Sequence, residues 1–270
     1  MHLMYSQKNK KMSYSEKLKQ KLKFLAERIA KNNQFPSSNT QHKSAFIFDC
    51  VKHNFHRRSY ENIEGNKNWQ ERLDKPHSQL KGYKEMQSSN SSDALLMNIF
   101  CHPDINKWKG IAKLFDLSNI KEVTFGHNPK LLKNGKPESK PHQTEIDLVI
   151  NDKIICEAKL TESDFTNKNK KSVEAYDRFE GVFNKHYLTQ THEEYSNYQL
   201  IRNILSLVHY SAFFLICDAR RPDLVKNFYE TIRCINDISL RAKCNIIFWQ
   251  DIAKSVGKDL RDYLKISYNL

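Results

Sequence analysis

The segment EIDLVINDKIICEAK, residues 145–159, places four charged residues near the outer ends of two apolar runs: Glu145, Asp147, Glu157 and Lys159. Carboxylate oxygens are hard ligands of the kind that Mg²⁺ prefers, and an ammonium group beside them can stabilise a metal-bound phosphate. If folding brings these side chains together, phosphoryl chemistry becomes possible. If it does not, they are charges on the outer face of a hairpin, with Glu145 and Lys159 as a cross-strand ion pair.

The strand register decides between these possibilities, because side chains alternate between the two faces of a β-strand. A two-residue loop of Asn151 and Asp152 would place Asp147 opposite Cys156. Both faces of the hairpin would then mix charged and aliphatic side chains.

A three-residue loop that also contains Lys153, or an equivalent bulge, places Asp147 opposite Glu157 and Glu145 opposite Lys159. One face then carries only apolar side chains: Ile146, Leu148, Ile150, Ile154, Cys156 and Ala158. Burying unpaired carboxylates is costly, so the sequence predicts this second register. Two directly opposed carboxylates repel each other unless a positive charge lies between them, which favours a cation site.

Helices and strands alternate around this hairpin. Downstream of residue 91 the pattern predicts the following elements: a helix after Ser92-Asp93 (ALLMNIF), a strand at 122–127, a loop at 131–143, the hairpin, a helix at about 193–209, a buried strand in SAFFLICDA, a helix in RRPDLVKNFYETIRCI, a buried strand in CNIIFWQD, and a C-terminal helix. In the 193–209 helix, Tyr198, Ile201, Leu205 and Val208 share one face. This alternation indicates an α/β fold with a mixed sheet.

The first 90 residues are less regular. An amphipathic helix is predicted over residues 13–33, with Ser13 and Glu16 as a capping box, followed by a loop at 34–45. Residues 46–90 have a weak pattern, and the stretch FIFDCVKHNFHRRSY fits a strand or a helix. We therefore divide the chain into a basic, mainly helical N-terminal region, 1–90, for DNA contact or dimerisation, and a core at 91–270.

Composition favours a polyanionic partner. Lys and Arg total 44 against 31 Asp and Glu, a net charge of +13, although a basic protein can also simply be soluble. The six cysteines form no C-x-x-C pair, which favours a reducing cytoplasm, and neither a signal peptide nor a membrane span is visible. The phosphate-binding pattern G-x-x-x-x-G-K-[ST] is absent, which argues against an NTP-driven motor.

At Ile146-Asp147, nine intervening residues and Glu157-Ala158-Lys159, the sequence resembles the PD-(D/E)XK nuclease superfamily, whose fold is that of restriction endonucleases. Ile146 stands at the motif's proline, a position that varies in the family. The order of elements over residues 91–250 is similar as well. The start of the helix in SSDALLMNIF also looks similar to that of some superfamily members.

The resemblance implies a role for each residue of the motif. Asp147 and Glu157 would bind Mg²⁺, with Mn²⁺ as a substitute, and the Ala158 carbonyl would join them. Lys159 would orient or activate the attacking water and stabilise the developing charge. Asp93 would complete the site, or instead cap its helix.

Two further residues are candidates for the same site. Glu145 would contact the metal or its water, or instead pair with Lys159. Gln199 is placed towards the metal by analogy with members that carry Gln or a basic residue there. Arg202 shares its helix side but also fits an exposed polar stripe.

Basic residues outside the motif are candidates for DNA binding. Arg57 and Arg58 lie among His53, Phe55, His56 and Tyr60, a mixture that suits phosphate contact with stacking or an ordinary solvated face. Arg220 and Arg221 follow the end of a buried strand, where they would contact phosphate or flank the next helix. Cys101-His102 suggests metal, but no second ligand pair stands at a useful spacing.

These features together predict a Mg²⁺-dependent DNA endonuclease, type II restriction-like, that hydrolyses phosphodiester bonds in double-stranded DNA. Its compartment would be the bacterial cytoplasm, its state a homodimer, and a cognate methyltransferase a possible partner. Two alternatives remain open: a structure-specific repair or mobile-element nuclease, and a non-catalytic nucleic-acid-binding protein on a nuclease-like scaffold.

Overall fold

The computed structural model describes residues 12–36, 42–138 and 145–270. Parts of the two predicted loops, 37–41 and 139–143, lie outside the described residues, as does residue 144. The α-helices of the described chain are α1 (Tyr14–Asn32), α2 (Arg57–Glu64), α3 (Lys67–Leu73), α4 (Ser92–Phe100), α5 (Lys109–Leu114), α6 (Lys170–Glu174), α7 (Phe179–Val182), α8 (Tyr198–Ser206), α9 (Pro222–Ile232), α10 (Ile238–Ala242), α11 (Trp249–Ser255) and α12 (Lys258–Tyr268). Short 3₁₀ turns lie at Val51–Asn54, Glu85–Gln87, Ile105–Lys107 and Leu207–His209.

The strands form one mixed sheet and two small ladders. They are β1 (Val123–His127), β2 (Leu132–Lys133), β3 (Lys136–Pro137), β4 (Ile146–Ile150), β5 (Ile154–Ala158), β6 (Lys168–Asn169), β7 (Glu194–Tyr195), β8 (Ala212–Cys217) and β9 (Cys244–Phe248). The main sheet has the order β1-β4-β5-β8-β9, antiparallel from β1 to β5 and parallel from β5 to β9. This architecture confirms the predicted mixed α/β fold and is consistent with a restriction-endonuclease-like core.

Helices cover both faces of the main sheet. On one face, α1, α4, α5, α11 and α12 pack against Leu148, Ile150, Ile154, Cys156 and Ala158. On the other, helices α6 to α9 pack against Val149, Ile155, Phe213 and Leu215. Burial on both sides explains why these strands read as continuous apolar runs. Ile146 was predicted on the first face but packs in the second cluster, beside Leu131 and Val149.

The N-terminal region packs against the rest of the chain through α1. Ser13 and Glu16 form the predicted capping box, with the Glu16 N–H 3.2 Å from Ser13 Oγ and the Ser13 N–H 2.8 Å from Glu16 Oε2. Leu18, Leu22 and Leu25 share the first core cluster with α12. The ambiguous stretch after residue 46 forms a 3₁₀ turn and α2, with no main-sheet strand. The division of the chain at residue 90 stays a prediction.

Three sequence predictions need correction. The cap of α4 is Ser91, whose Oγ accepts the Ala94 N–H at 3.1 Å, so Asp93 lies inside the first turn. Helix α8 begins at Tyr198 because Glu194 and Tyr195 pair with β6, and Val208 beyond its end is exposed. Strand β9 is an edge strand in which only Ile247 is buried.

No helix of the described chain is long and apolar enough to cross a bilayer. All six cysteines are free thiols.

Candidate active site

The β4–β5 hairpin has the predicted register. Leu148 pairs with Cys156 and Ile150 with Ile154, which leaves a loop of residues 151–153. Asn151 and Asp152 both have φ of +52°, a conformation that these two residue types tolerate. Continued by one pair, this register sets Asp147 opposite Glu157.

Asp147 carries a charge that its surroundings oppose. Its Oδ2 accepts the Ala158 N–H at 2.8 Å, which fixes the carboxylate across the hairpin. Burial raises the pKa of Asp147 well above its usual range, and the negative charges of Glu157 and Asp93 raise it further. The three carboxylates are therefore close enough to repel one another.

Glu157 is 1% exposed, and both of its carboxylate oxygens accept hydrogen bonds. Its Oε1 accepts Gln199 Nε2 at 2.8 Å and lies 3.1 Å from Lys159 Nζ, while its Oε2 accepts Asn203 Nδ2 at 2.8 Å. Such a buried carboxylate has a fixed position, which suits a metal ligand.

Lys159 points to the same place. Its Nζ donates to Gln199 Oε1 at 2.9 Å, and its carbonyl accepts Trp249 Nε1 at 2.9 Å. Burial lowers the pKa of Lys159, but the negative charges of Glu157, Glu162 and Asp147 outweigh burial and raise it above its usual range. The side chain is therefore an ammonium ion at neutral pH, held in one orientation.

Helix α8 supplies the amides of the site. Gln199 bridges Glu157 and Lys159, and Asn203 follows one turn later on the same helix face. The Gln199 N–H donates to the Phe165 carbonyl at 3.0 Å, which fixes the start of the helix. Sequence reasoning missed Asn203, although its i+4 spacing from Gln199 would have found it.

Asp93 lies in the first turn of α4 and binds two cations from the N-terminal region. Arg72 Nη2 lies 3.0 Å from both oxygens of Asp93, and Lys75 Nζ lies 2.6 Å from Oδ2. Burial would raise the pKa of Asp93, but Lys75 and Arg72 outweigh it, so the pKa lies below the usual value. Sequence reasoning missed both cations, because nothing in local periodicity links residue 72 or 75 to residue 93.

Glu145 also binds Arg72, with 2.5 Å between its Oε2 and Nη1. The predicted alternative pairing of Glu145 with Lys159 is therefore wrong, since Lys159 pairs with Glu157. Arg72 thus joins Glu145 on the hairpin to Asp93 on α4.

The donor set fits a divalent cation bound by oxygen. Asp147 and Glu157 face each other and Asp93 is near. Burial, together with the charges of Glu157 and Asp93, raises the pKa of Asp147, and a bound cation would oppose this effect. Among the described residues, these three carboxylates do not form a group with every ligand oxygen within 4.8 Å of the others. In this arrangement Asp93 is bound by Arg72 and Lys75, and Glu157 is bound by the Gln199 and Asn203 amides.

Two of the predicted DNA-binding arginines lie at the surface. Arg57 has 87% of its side chain exposed and pairs with Glu61 at 2.7 Å. Arg58 is 44% exposed and bridges Asp104 at 2.7 Å and Asp259 at 3.1 Å. Both can reach a ligand in solution.

Of the other three predicted DNA-binding arginines, Arg220 is partly exposed, whereas Arg202 and Arg221 are buried. Arg220 is bonded to Asp218. Arg221 is buried and donates to Asp223 and to the carbonyls of Leu160 and Glu162. Arg202 is 1% exposed, so neither it nor Arg221 is at the surface where a nucleic acid would lie.

An open cleft of about 570 Å³ leads to the site. Lys159 and Gln199 line one part of it, and side chains of the N-terminal region, including Lys19, His42 and His77, line another. The cleft therefore reaches Lys159 and Gln199, and residues from both parts of the chain form its walls.

The mixed sheet and its flanking helices are consistent with a restriction-endonuclease-like core, and Asp147, Glu157 and Lys159 lie on its central hairpin. Residues 13–268 match the family described as "Restriction Endonuclease associating with ARP", and the chain belongs to that family. No curated protein matches the chain, and no solved structure matches it.

Proposed function

We propose that the protein is a Mg²⁺-dependent DNA endonuclease of the PD-(D/E)XK superfamily, restriction-like, that cuts double-stranded DNA. The observation that carries this proposal is the convergence of Asp147, Glu157 and Lys159, with Gln199 bonded to both Glu157 and Lys159. Membership of a restriction-endonuclease family supports the same reaction class.

Asp147 and Glu157 would hold the Mg²⁺, with the Ala158 carbonyl as a third ligand and Mn²⁺ as a substitute. Asp93 and Glu145 would contribute after Arg72 and Lys75 move from them. The ion supplies Lewis-acid activation of the phosphate and of the attacking water.

The side chains of the chain itself would do the rest. Because Lys159 remains an ammonium ion, it binds a phosphate oxygen and stabilises the charge that develops as water attacks phosphorus and the leaving ester oxygen departs. Gln199 and Asn203 fix the orientation of Glu157 and Lys159 by hydrogen bonds. Small errors of position at such groups are costly, so these amides are positioning residues.

The DNA would lie along the cleft beside Lys159. Its phosphates would meet Lys19 in the cleft and the exposed Arg57 and Arg58 outside it, in a chain whose net charge is +13. Arg220 stays a candidate for a backbone contact, and the buried Arg202 and Arg221 are not carried forward.

The proposal also includes partners. A homodimer would place two such sites on the two strands of a duplex. A cognate methyltransferase would protect host DNA, and the family description supports association with an ARP partner. Bacterial cytoplasm is the compartment that this role requires.

Plasmid DNA incubated with Mg²⁺ tests the function. We compare the wild type with Asp147→Ala and Lys159→Met, and use Asp152→Asn as a matched control because Asp152 is exposed on the same hairpin. The wild type and the control should cut, and the two site variants should bind DNA without cutting.

The products distinguish the three functions. Discrete bands support a restriction enzyme, and a smear supports a nuclease that recognises DNA structure. A mobility shift without cleavage by the wild type, in both Mg²⁺ and Mn²⁺, would support the non-catalytic DNA-binding alternative and contradict the proposal.

A further inference from the structure

Two histidines and one aspartate meet at a second place, where three segments of the chain come together. His56 precedes α2, His102 follows α4, and Asp259 lies in the first turn of α12. One ligand atom from each lies within 4.8 Å of the others, and among the described residues this is the group of three that meets that distance. The Nε2 atoms of His102 and His56 lie 3.6 and 4.0 Å from Asp259 Oδ2.

The buried nitrogen atoms of this group lack hydrogen-bond partners. His102 is 0% exposed, and its Nε2, which is directed towards Asp259, accepts and donates no hydrogen bond. His56 Nδ1 is also buried without a partner. Leaving a buried polar atom unsatisfied is costly, and a bound ion is one way to satisfy it.

The histidine rings are held firmly in place. The His102 ring packs against Trp108 at a tilt of 31° with 4.6 Å between ring centroids, and His56 and Tyr263 form a T-shaped pair with 5.5 Å between centroids. The backbone N–H of His56 donates to Asn98 Oδ1 at 2.6 Å. Ligands fixed in this way lose little entropy when they bind an ion.

We propose that His56, His102 and Asp259 form a binding site for a transition-metal cation of the Zn²⁺ class, separate from the Mg²⁺ centre. Two imidazoles and one carboxylate suit Zn²⁺ or Co²⁺, with water as a fourth ligand, whereas Mg²⁺ prefers oxygen. Tetrahedral ligands with bonds of about 2.1 Å lie about 3.4 Å apart. The exposed Asp259 side chain closes the remaining gap by moving towards the rings.

Metal binding through Nε2 requires a change in the proton on His102. Its Nδ1 accepts the Asp104 N–H at 3.1 Å, so Nε2 carries the proton when no metal is bound. On binding, Nε2 loses that proton and Nδ1 becomes the protonated nitrogen. Asp104 Oδ2, 4.0 Å from Nδ1, is the carboxylate that would accept its hydrogen bond, as in other carboxylate–histidine–metal sites.

The Arg58 guanidinium would compete with the metal ion for the Asp259 carboxylate. Its Nη1 lies 3.1 Å from Asp259 Oδ2, and its Nη2 lies 2.7 Å from Asp104 Oδ2. The incoming cation displaces Nη1 from Asp259. Removal of the guanidinium should therefore tighten metal binding, in contrast to removal of a ligand.

Titration of the full-length protein with Co²⁺ tests the site, with visible d–d absorption and calorimetry as readouts and excess Mg²⁺ present. We expect one equivalent of tetrahedral Co²⁺, displaced by Zn²⁺, in the wild type and in Asp147→Asn. His102→Gln and His56→Gln should abolish it, Asp104→Asn should weaken it about 10- to 100-fold, and Arg58→Met should strengthen it.

Two results would overturn the proposal. One is a wild-type protein, and an Arg58→Met variant, that bind no equivalent of Co²⁺ or Zn²⁺. The other is a bound equivalent that survives His102→Gln, since the free cysteines would then be holding it. Circular dichroism of each variant shows whether it is folded, and DNA cleavage is not needed for any of these readouts.

Discussion

Asp147 and Asp93 have opposite pKa shifts although their charges interact. Asp93 has Lys75 and Arg72 beside it, which lower its pKa against the effect of burial. The Ala158 N–H and the charges of Lys159 and Lys75 favour the ionised form of Asp147, but burial and the charges of Glu157 and Asp93 outweigh them and raise its pKa. In the protein without metal, the positive charges near Asp147 are therefore too weak to offset its burial and the neighbouring carboxylates.

Asp147→Asn should stabilise the metal-free protein at pH 8. A native pKa above the unfolded value gives stability that is complete below the unfolded pKa, near 4, and lost as pH rises through the native pKa. Asn has no charge to bury and keeps an oxygen for the Ala158 N–H. Urea unfolding in EDTA should show a higher free energy of unfolding for Asp147→Asn than for the wild type at pH 8, and this gain should vanish at pH 4.

Asp152→Asn is the control for that experiment, because it removes the same charge from an exposed turn. Equal free energies of unfolding for the wild type and Asp147→Asn at pH 8 would contradict an energetic cost of burying the charge of Asp147. Added Mg²⁺ should raise the midpoint of the wild type alone.

Gln199 tests the idea of positioning by amides. Gln199→Ala removes the hydrogen bonds to Lys159 Nζ and Glu157 Oε1, so both side chains gain freedom. We expect single-turnover cleavage about 10- to 100-fold slower with unchanged DNA affinity. A variant with weaker DNA binding and an unchanged cleavage rate would show that Gln199 binds substrate instead.

Elements with local sequence signals were predictable. The Ser13–Glu16 capping box and Pro222 in the first turn of α9 are short-range patterns, and both are present. The start of α8 was predicted about five residues early, because residues 194–195 pair with β6, a contact that helical periodicity cannot reveal. The buried appearance of β9 reflected its composition, whereas its exposure follows from its place at the sheet edge.

The neighbouring Arg72 side chain leaves no room for a Cβ atom at Gly126 in β1. The φ of Gly126 is +63°, and a Cβ there would lie only 2.4 Å from Arg72 Nη1. Gly126→Ala should therefore lower the free energy of unfolding by about 1–3 kcal/mol through backbone strain, and by more through displacement of Arg72. Chemical denaturation measures both effects.

Gly135→Ala is the matched variant, since Gly135 has φ of +73° and nothing within 4 Å of the added Cβ. Gly135→Ala introduces the backbone strain of a positive φ but no steric clash with a neighbouring side chain. If the free energy of unfolding falls equally in both variants, a clash with Arg72 does not contribute to the effect of Gly126→Ala.

Across the whole molecule, the site depends on contacts between distant parts of the chain. The hairpin register followed from the sequence because a one-residue slip would bury charge, and the structure agrees. Arg72, Lys75 and the cleft did not follow, because they depend on how the first 90 residues pack on the sheet. Sequence therefore predicted Asp147, Glu157, Lys159 and Gln199 as a group, but not the cations that hold Asp93 and Glu145.

Arg72→Met should destabilise the protein without metal. It leaves Asp93 buried with Lys75 alone and removes the link to Glu145, and breaking a buried ion pair costs about 3–5 kcal/mol. Arg57→Met, at an exposed arginine, should leave the urea midpoint unchanged. Equal midpoints for the two variants would show that the ion pairs of Arg72 with Asp93 and Glu145 do not stabilise the protein.

The rate of DNA cleavage in Mg²⁺ by the wild type, Asp147→Asn and Asp152→Asn tests the central claim most directly. Asp147→Asn preserves the shape of the side chain and removes only the charge that a cation needs. We expect Asp152→Asn to cut at the wild-type rate and Asp147→Asn to be at least about 100-fold slower, a loss of roughly 2.7 kcal/mol in transition-state stabilisation. Cleavage by Asp147→Asn at the wild-type rate would contradict a metal-dependent active site at the β4–β5 hairpin.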